Sequence, residues 1–310
     1  MHTIYKSTEN GLTEVTELTP GCWVNMIDPT TDEIERVTTL GIPADFITYP
    51  LDMDERARIE REDDGKMLII LRIPYYEGPR VDIPYTTIPL GIVLTERLII
   101  TICRRPNEVI QEFTSGKMRG LSTAKRNRFI LRLLLMTANR FLAYLREINR
   151  LVEATEDKMQ ASMQNREVLE LLKYSKSLVL FTQALKSNEL MLERLKRSQL
   201  FHQYPEDEDL LEDVITENQQ AIEMVNISST ILSSLMDAFA SIISNNLNVV
   251  MKFLASVTIV LSIPTIVTSF FGMNVKLPFQ NLDLAYLLII VLFLTISAVI
   301  VYLFIKRDWF

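Results

Sequence analysis

The amino-acid sequence predicts an α/β domain, then long helices that form a stalk, and finally a module of two transmembrane helices. Three features of the chain indicate this order. β-rich runs bounded by turn residues occupy the first third of the 310 residues. Glycine and proline are absent between Leu121 and Tyr204, where apolar residues recur at helical spacing. Two stretches without a charged residue, 253–271 and 284–305, each have the roughly 20 residues that a helix needs to cross a bilayer.

Residues 1–120 form the predicted α/β domain. Its β-rich runs end at turn or charge signals, and its helices are short. The two cysteines, Cys22 and Cys103, stand far apart, so we expect two reduced thiols in the core of a cytosolic domain. We expect strands at 23–27, 67–73, 87–94 and 98–103, and helices at 31–40 and 45–51.

Residues 121–204 predict a long helical hairpin that turns near residues 162–166. Pro205 then begins a stalk helix, 205–252, because proline suits the first helical turn and the acidic residues after it suit the positive end of the helix dipole. No glycine or proline follows until the middle of the first membrane span, 253–271, so the helix is expected to continue into the membrane. A helix of about 100 Å, at about 1.5 Å per residue, needs neighbours along its length, which predicts a symmetric homo-oligomer.

The link between the two spans, residues 272–283, is short, so the N-terminal domain and the C-terminal tail lie on the same side of the membrane. The tail, 306–310, carries Lys306 and Arg307, and basic residues mark the cytosolic side. The first residues of the chain contain no apolar run of the kind found in a signal peptide. We therefore predict a multi-pass protein of the plasma membrane, embedded in the lipid bilayer, with both termini in the cytosol.

One face of the first span is lined mostly by small and hydroxylated residues. They are spaced alternately three and four residues apart, which is a heptad seam. Such a stripe suits either the lining of a pore or the close packing of two membrane helices. The stripe starts at Asn248, before the span, and leads toward Asn274 in the loop after it, which favours the lining of a pore. The seam residues are Asn248, Met251, Ala255, Thr258, Ser262, Thr265 and Ser269.

The first span ends in the sequence Phe270-Phe271-Gly272-Met273-Asn274. Here the chain resembles the CorA family of magnesium transporters, whose hallmark is Gly-Met-Asn at the outer end of the first of two C-terminal spans. The resemblance covers the whole order of α/β domain, long helices, stalk, two spans and basic tail. It implies a CorA-like funnel, a homopentamer, that acts as a passive uptake channel for hydrated Mg²⁺ driven by the membrane potential. Co²⁺ and Ni²⁺ are further candidate ions.

The resemblance also assigns roles to individual residues. Gly272, Met273 and Asn274 correspond to the selectivity filter, where a ring of asparagine side chains meets the hydrated ion. This is chemically reasonable because Mg²⁺ gives up its waters reluctantly. Met251 and Leu254 correspond to an apolar lower pore, and such a constriction can gate by dewetting.

The family senses cytosolic Mg²⁺ through carboxylates between subunits, so the resemblance implies Mg²⁺ as a regulatory as well as a transported ion. Asp213 corresponds to the sensing aspartate of the stalk helix, and Asp52 and Asp54 lie in the region of its partner. A solvated helix face is the alternative interpretation of these acids. Many relatives carry a glutamate just after Gly-Met-Asn. This loop instead has Asp283 opposed by Lys276, which does not favour an acidic ring at the mouth.

Other functions fit the sequence less well. A transporter of Zn²⁺ or another divalent cation from the same superfamily remains an alternative, although His2, His202 and two isolated cysteines form no cluster of soft ligands. A membrane-anchored coiled-coil scaffold would give the hydroxylated stripe no role. The net charge of −7 argues against a nucleic-acid partner. The nucleotide-binding loop pattern is not met near Ser115, so neither an enzyme nor an organic cofactor is predicted.

Overall fold

The computed structural model describes residues 2–8, 11–115, 121–161, 165–198, 201, 204–273, 285–307 and 309. It divides into two compact units, Met1–Ser234 and Leu235–Phe310. The strands are β1 (His2–Thr8), β2 (Gly11–Val15), β3 (Trp23–Ile27), β4 (Arg58–Arg61), β5 (Met67–Tyr76), β6 (Tyr85–Leu94) and β7 (Ile99–Cys103). The helices are α1 (Thr31–Thr38), α2 (Ala44–Thr48), α3 (Glu108–Thr114), α4 (Arg126–Ala161), α5 (Asn165–Arg197), α6 (Pro205–Phe271) and α7 (Ala285–Lys306), and a 3₁₀ turn spans Tyr49–Leu51.

The seven strands form one mixed sheet in the order β2-β1-β3-β7-β6-β5-β4. β3 and β7 run parallel, and every other neighbouring pair is antiparallel. The four predicted strands are present, and β3 has the predicted bounds. β1, β2 and β4 lie outside the predicted runs, as does α3. These outer strands are partly exposed and rich in polar residues, so hydrophobicity does not mark them.

Each face of the sheet has its own core. One face packs against α3, α4, α5 and the beginning of α6, and the other is covered by α1 and α2. The fully buried Trp23 lies in the first core, where its ring meets Phe113 and Phe129 edge-on at centroid distances of 5.8 and 5.1 Å. Cys22 and Cys103 are both free and buried, so both lie in the core as predicted.

The 3₁₀ turn Tyr49–Leu51 approaches the centre of the sheet closely. Pro50 is buried there, and a Cβ atom added to Gly91 of β6 would lie 2.1 Å from the Pro50 Cγ. Only glycine leaves room for this approach. A larger residue at position 91 would overpack the core, which typically costs about 1–3 kcal/mol. The contact fixes the start of the segment that carries Asp52 and Asp54.

The first part of α6 packs against the hairpin of α4 and α5. Arg128 of α4 holds the beginning of α6, with its Nε 2.8 Å from the Asp207 carboxylate and its Nη2 2.6 Å from Glu206. Further along, the side-chain amide of Asn218 donates to the Leu185 carbonyl at 3.4 Å. The buried positions alternate by three and four residues, as in a coiled coil. They are Leu211, Val214, Asn218, Ala221, Val225, Ser228 and Leu232.

In the second unit, α6 and α7 each contain a stretch long and apolar enough to cross a membrane. Large apolar side chains on both helices are exposed within the unit, for example Leu261 and Val291 at 67% and 61%. Pro264 lies inside α6 and lacks the N–H that an ordinary residue would donate one turn back. Together with the sheet and the long helices of the first unit, these two helices confirm the predicted fold class.

Candidate functional site

The predicted pore stripe lies on an exposed face of α6. Its members and Leu254 are exposed within the unit, except Ser262, which is half-buried. The face that packs within the unit carries Ser256 and Ile263, which are buried, and Val260, which is half-buried. At about 100° per residue, the stripe and this packed face lie on opposite sides of the helix. The stripe is therefore free to meet other copies of the chain.

The hydroxyl groups of the stripe are oriented by their own helix. Thr258 Oγ1 donates to the Leu254 carbonyl, and Ser262 Oγ donates to the Ile259 carbonyl, both at 2.8 Å. A hydroxyl that has donated its hydrogen offers oxygen lone pairs to its remaining neighbours. This face consequently presents hydrogen-bond acceptors, which suit the outward-pointing hydrogens of water molecules bound to a cation.

The seam extends further toward the N-terminal end of α6 than Asn248. Ser244, Ser241 and Asp237 continue the alternation of three and four residues below Asn248, and all of them are exposed. Asp237 is the one ionisable residue between Glu223 and the lysine that precedes the first span. The signal was the same heptad spacing, carried three steps further along the chain.

The end of α6 forms the beginning of the predicted filter. The Gly272 N–H donates to the Thr268 carbonyl at 2.8 Å and so completes the last turn. A Cβ atom at Gly272 would lie 3.1 Å from that carbonyl oxygen, a tight approach that favours glycine. Met273 is exposed at 52%. Asn274, the third predicted filter residue, lies outside the described residues, as do Lys276 and Asp283 of the predicted link between the spans.

Asp52 and Asp54 are exposed and lie near the half-buried guanidinium of Arg72. The Asp54 N–H donates to Asp52 Oδ1 at 3.0 Å, which makes a tight turn. The guanidinium of Arg72 donates to the carbonyls of Met53 and Glu55 at 2.6 and 3.0 Å, which anchors this turn to the sheet. Burial lowers the pKa of Arg72, and the charges of Asp54, Asp52 and Glu55 oppose that shift. The two aspartates therefore already balance a charge within their own chain.

Asp213 is exposed on α6, next to Val214 of the buried seam. Within one chain, the part that the structure describes has no group of three or more His, Cys, Asp or Glu side chains placed to hold a metal ion. The single chain thus does not bring Asp213 together with Asp52 and Asp54 as a metal site. If Asp213 binds a cation, the remaining ligands come from another copy of the chain or from water.

The fold and the stripe define a class of protein: a membrane protein with two C-terminal spans, an α/β domain and one long helix that leads into the first span. The chain belongs to the CorA-like Mg²⁺ transporter protein family, whose sequence model matches residues 21–307.

Individual relatives agree with this assignment. The chain is 29% identical over 303 residues to the cobalt/magnesium transport protein CorA of Methanocaldococcus jannaschii, covering 93% of this chain and 90% of that protein. The complete structure of the CorA magnesium transporter from the same organism superposes with a TM-score of 0.86 and 25% identity, covering 100% of this chain and 99% of that one. The cytoplasmic domain of ZntB from Vibrio parahaemolyticus shares the fold, with a TM-score of 0.62 at 12% identity over 78% of this chain and 98% of that one.

Proposed function

We propose that this protein is a passive channel for hydrated Mg²⁺ in the plasma membrane, with the α/β domain and both termini in the cytosol. The observation that carries the proposal is the exposed stripe of hydroxyl acceptors on α6, opposite the face that packs within the unit. Relatives of this chain are named for magnesium and cobalt transport, which supports Mg²⁺ as the main ion and Co²⁺ as a second one. Ni²⁺ is a third candidate.

In the proposed assembly, five copies of α6 surround the pore and turn their stripes toward its axis. Apolar side chains on the neighbouring faces of α6, such as Ile266 at 65% exposure, then meet lipid or the next subunit. A symmetric ring of this kind gives each exposed stripe an identical environment. The heptad spacing supports this symmetric arrangement of α6, because a heptad seam stays on one side of a long helix.

The stripe suits an ion that keeps its water shell. Mg²⁺ dehydrates reluctantly, and its bound waters are hydrogen-bond donors. A ring of Asn274 carbonyl oxygens at the outer end and the hydroxyl oxygens of Thr258 and Ser262 further in accept from these waters without displacing them. Neutral acceptors hold the ion weakly enough to release it.

Toward the cytosol the lining becomes apolar. Met251 and Leu254 are exposed at 57% and 58%, so five copies of each can form an apolar constriction that closes by dewetting. Ion flow needs no organic cofactor, because a divalent cation moving inward gains about 4–5 kcal/mol per 100 mV of membrane potential.

The proposal is tested by Mg²⁺ flux into liposomes that contain the purified protein. We expect flux driven by an inside-negative potential. We also expect block from outside by cobalt hexammine, which resembles hydrated Mg²⁺ in size but cannot shed its ligands. Flux that persists at every concentration of cobalt hexammine would contradict recognition of the hydrated ion. If the protein carried no cation at all, the alternative of a membrane-anchored coiled-coil scaffold would be favoured.

The same assay distinguishes the zinc alternative. Nδ1 of His2 lies 2.8 Å from the Glu33 carboxylate, so this histidine already has a partner, while His202 lies outside the described residues. We therefore expect Mg²⁺ and Co²⁺ flux to exceed Zn²⁺ flux at equal concentration. A protein that carries Zn²⁺ alone would exclude the magnesium channel.

For regulation, we propose that cytosolic Mg²⁺ bridges Asp213 to acids of a neighbouring subunit, with Asp52 and Asp54 as candidates, and so holds the ring closed. Binding has to be weak, in the millimolar range or about −4 kcal/mol, to report cytosolic levels.

Asp213→Ala is expected to raise the internal Mg²⁺ concentration needed for closure and to leave flux at low internal Mg²⁺ unchanged. The measurement is flux at several internal Mg²⁺ concentrations. Glu153→Ala, which removes an exposed acid of α4, is the control. An unchanged closing curve in Asp213→Ala would assign this acid to a solvated helix face.

A further inference from the structure

A cavity of about 490 Å³ opens in the first unit between β4, β5 and α5. Its volume lies within the range of about 300–1,000 Å³ that is usual for small-molecule sites. Five cationic and two acidic side chains line it, together with apolar groups of α5. Of the residues assigned to transport or sensing, Asp54 alone contributes to its wall. This excess of positive charge contrasts with the net charge of −7 for the whole chain.

Two of the five cations are already paired or saturated. Arg58 forms ion pairs with Glu55 and, at 2.7 Å, with Glu60. Arg72 donates to the carbonyls of Met53, Glu55 and Thr87, and its charge is opposed by Asp54. The acids that line the cavity are therefore engaged by these two arginines and leave the other three cations uncompensated.

The remaining cations are Arg56, Lys186 and Arg194. All three are exposed, and none forms an ion pair with any residue that the structure describes. Lys186 and Arg194 stand two helical turns apart on one face of α5, with Leu190 between them. Leu190 is exposed at 62%, and Met191 lines the cavity beside it. One wall thus combines two separated cations with an apolar surface.

We propose that this cavity binds a phosphate-bearing small molecule of nucleotide size. Arg56, Lys186 and Arg194 would hold the phosphates, since guanidinium groups bind phosphate oxygens in pairs and a lysine adds a flexible point charge. Leu190, which is exposed, would contact the planar or apolar part of the ligand. The site shares no residue with the pore stripe, and the proposal does not depend on transport.

The test is calorimetric titration of the full-length protein in detergent, without Mg²⁺, using ATP, ADP, adenosine and inorganic phosphate as probes. We expect ATP and ADP to bind and adenosine not to bind. Reversing two charges in Lys186→Glu with Arg194→Glu should weaken ATP binding by about tenfold or more, because charge-assisted phosphate contacts are lost. Arg150→Glu, at an exposed arginine of α4 that does not line the cavity, is the matched control and should bind ATP normally.

Several results would overturn the proposal. One is the absence of ATP and ADP binding, and another is equal ATP affinity in the wild type and the double variant. Inorganic phosphate that binds as tightly as ATP would show an anion patch with no selectivity for size. A double variant with a smaller oligomeric mass would show that these cations hold neighbouring copies of the chain together.

Discussion

Replacing Asn274 by alanine is expected to abolish Mg²⁺ flux through the reconstituted channel. Asn274 directly follows Gly272 and Met273, the two residues after α6, and in the proposed pore its five copies form the first ring that meets the hydrated ion. Alanine removes the side-chain acceptors of that ring, so the waters on the ion lose these substitutes for bulk solvent at the entrance. We expect a fall in flux of at least about tenfold, equivalent to about 1.4 kcal/mol in the barrier. The measurement is Mg²⁺ entry into liposomes at a fixed potential.

A matched control lies in the same loop. Asn281→Ala makes the same chemical change seven positions later and is expected to leave flux near the wild-type level. The oligomeric mass of Asn274→Ala, measured by light scattering, should equal that of the wild type, because the change concerns the ion path and not assembly. Near-normal flux in Asn274→Ala would show that the ion-entry ring lies elsewhere.

Replacing Thr265 by phenylalanine is expected to block the pore. Thr265 belongs to the exposed stripe, and five phenyl rings directed at one axis would fill a channel wide enough for a hydrated ion. The change also removes a hydroxyl acceptor at that level. We expect flux to fall by at least about tenfold, again equivalent to about 1.4 kcal/mol, with an unchanged oligomeric mass.

The neighbouring residue supplies the control. Ile266→Phe places the same ring about 100° further around the helix, at a side chain that is 65% exposed and outside the stripe. Flux through this variant should stay within about threefold of the wild type, which is less than about 1 kcal/mol. If Thr265→Phe and Ile266→Phe reduced flux equally, the stripe would not be the face that lines the pore. A loss of oligomer in Thr265→Phe would favour the other interpretation of the stripe, close packing between membrane helices.

The sequence by itself determined the features that depend on neighbours along the chain. The two spans follow from the absence of charge over lengths that match a bilayer, and the long α6 follows from the absence of glycine and proline after Pro205. The heptad seam and the Gly-Met-Asn motif that follows Phe271 also depend only on neighbouring residues in the sequence. A helix places residues three and four positions apart on one face whatever the rest of the molecule does, so the stripe could be identified without a structure.

Only the tertiary structure decided which groups meet across long distances in the chain. The parallel pairing of β3 with β7, the polar edge strands and the contact between Pro50 and Gly91 all join segments that no local pattern connects. The same holds for Arg72, whose half-buried guanidinium donates to the backbone carbonyls of Met53 and Glu55 and lies near the charges of Asp52 and Asp54. Periodicity also could not tell which side of α6 is free, since both faces of a membrane helix can be apolar. The burial of Ser256 and Ile263 decided it, because packing within the unit uses one side of the helix and leaves the hydroxylated side open.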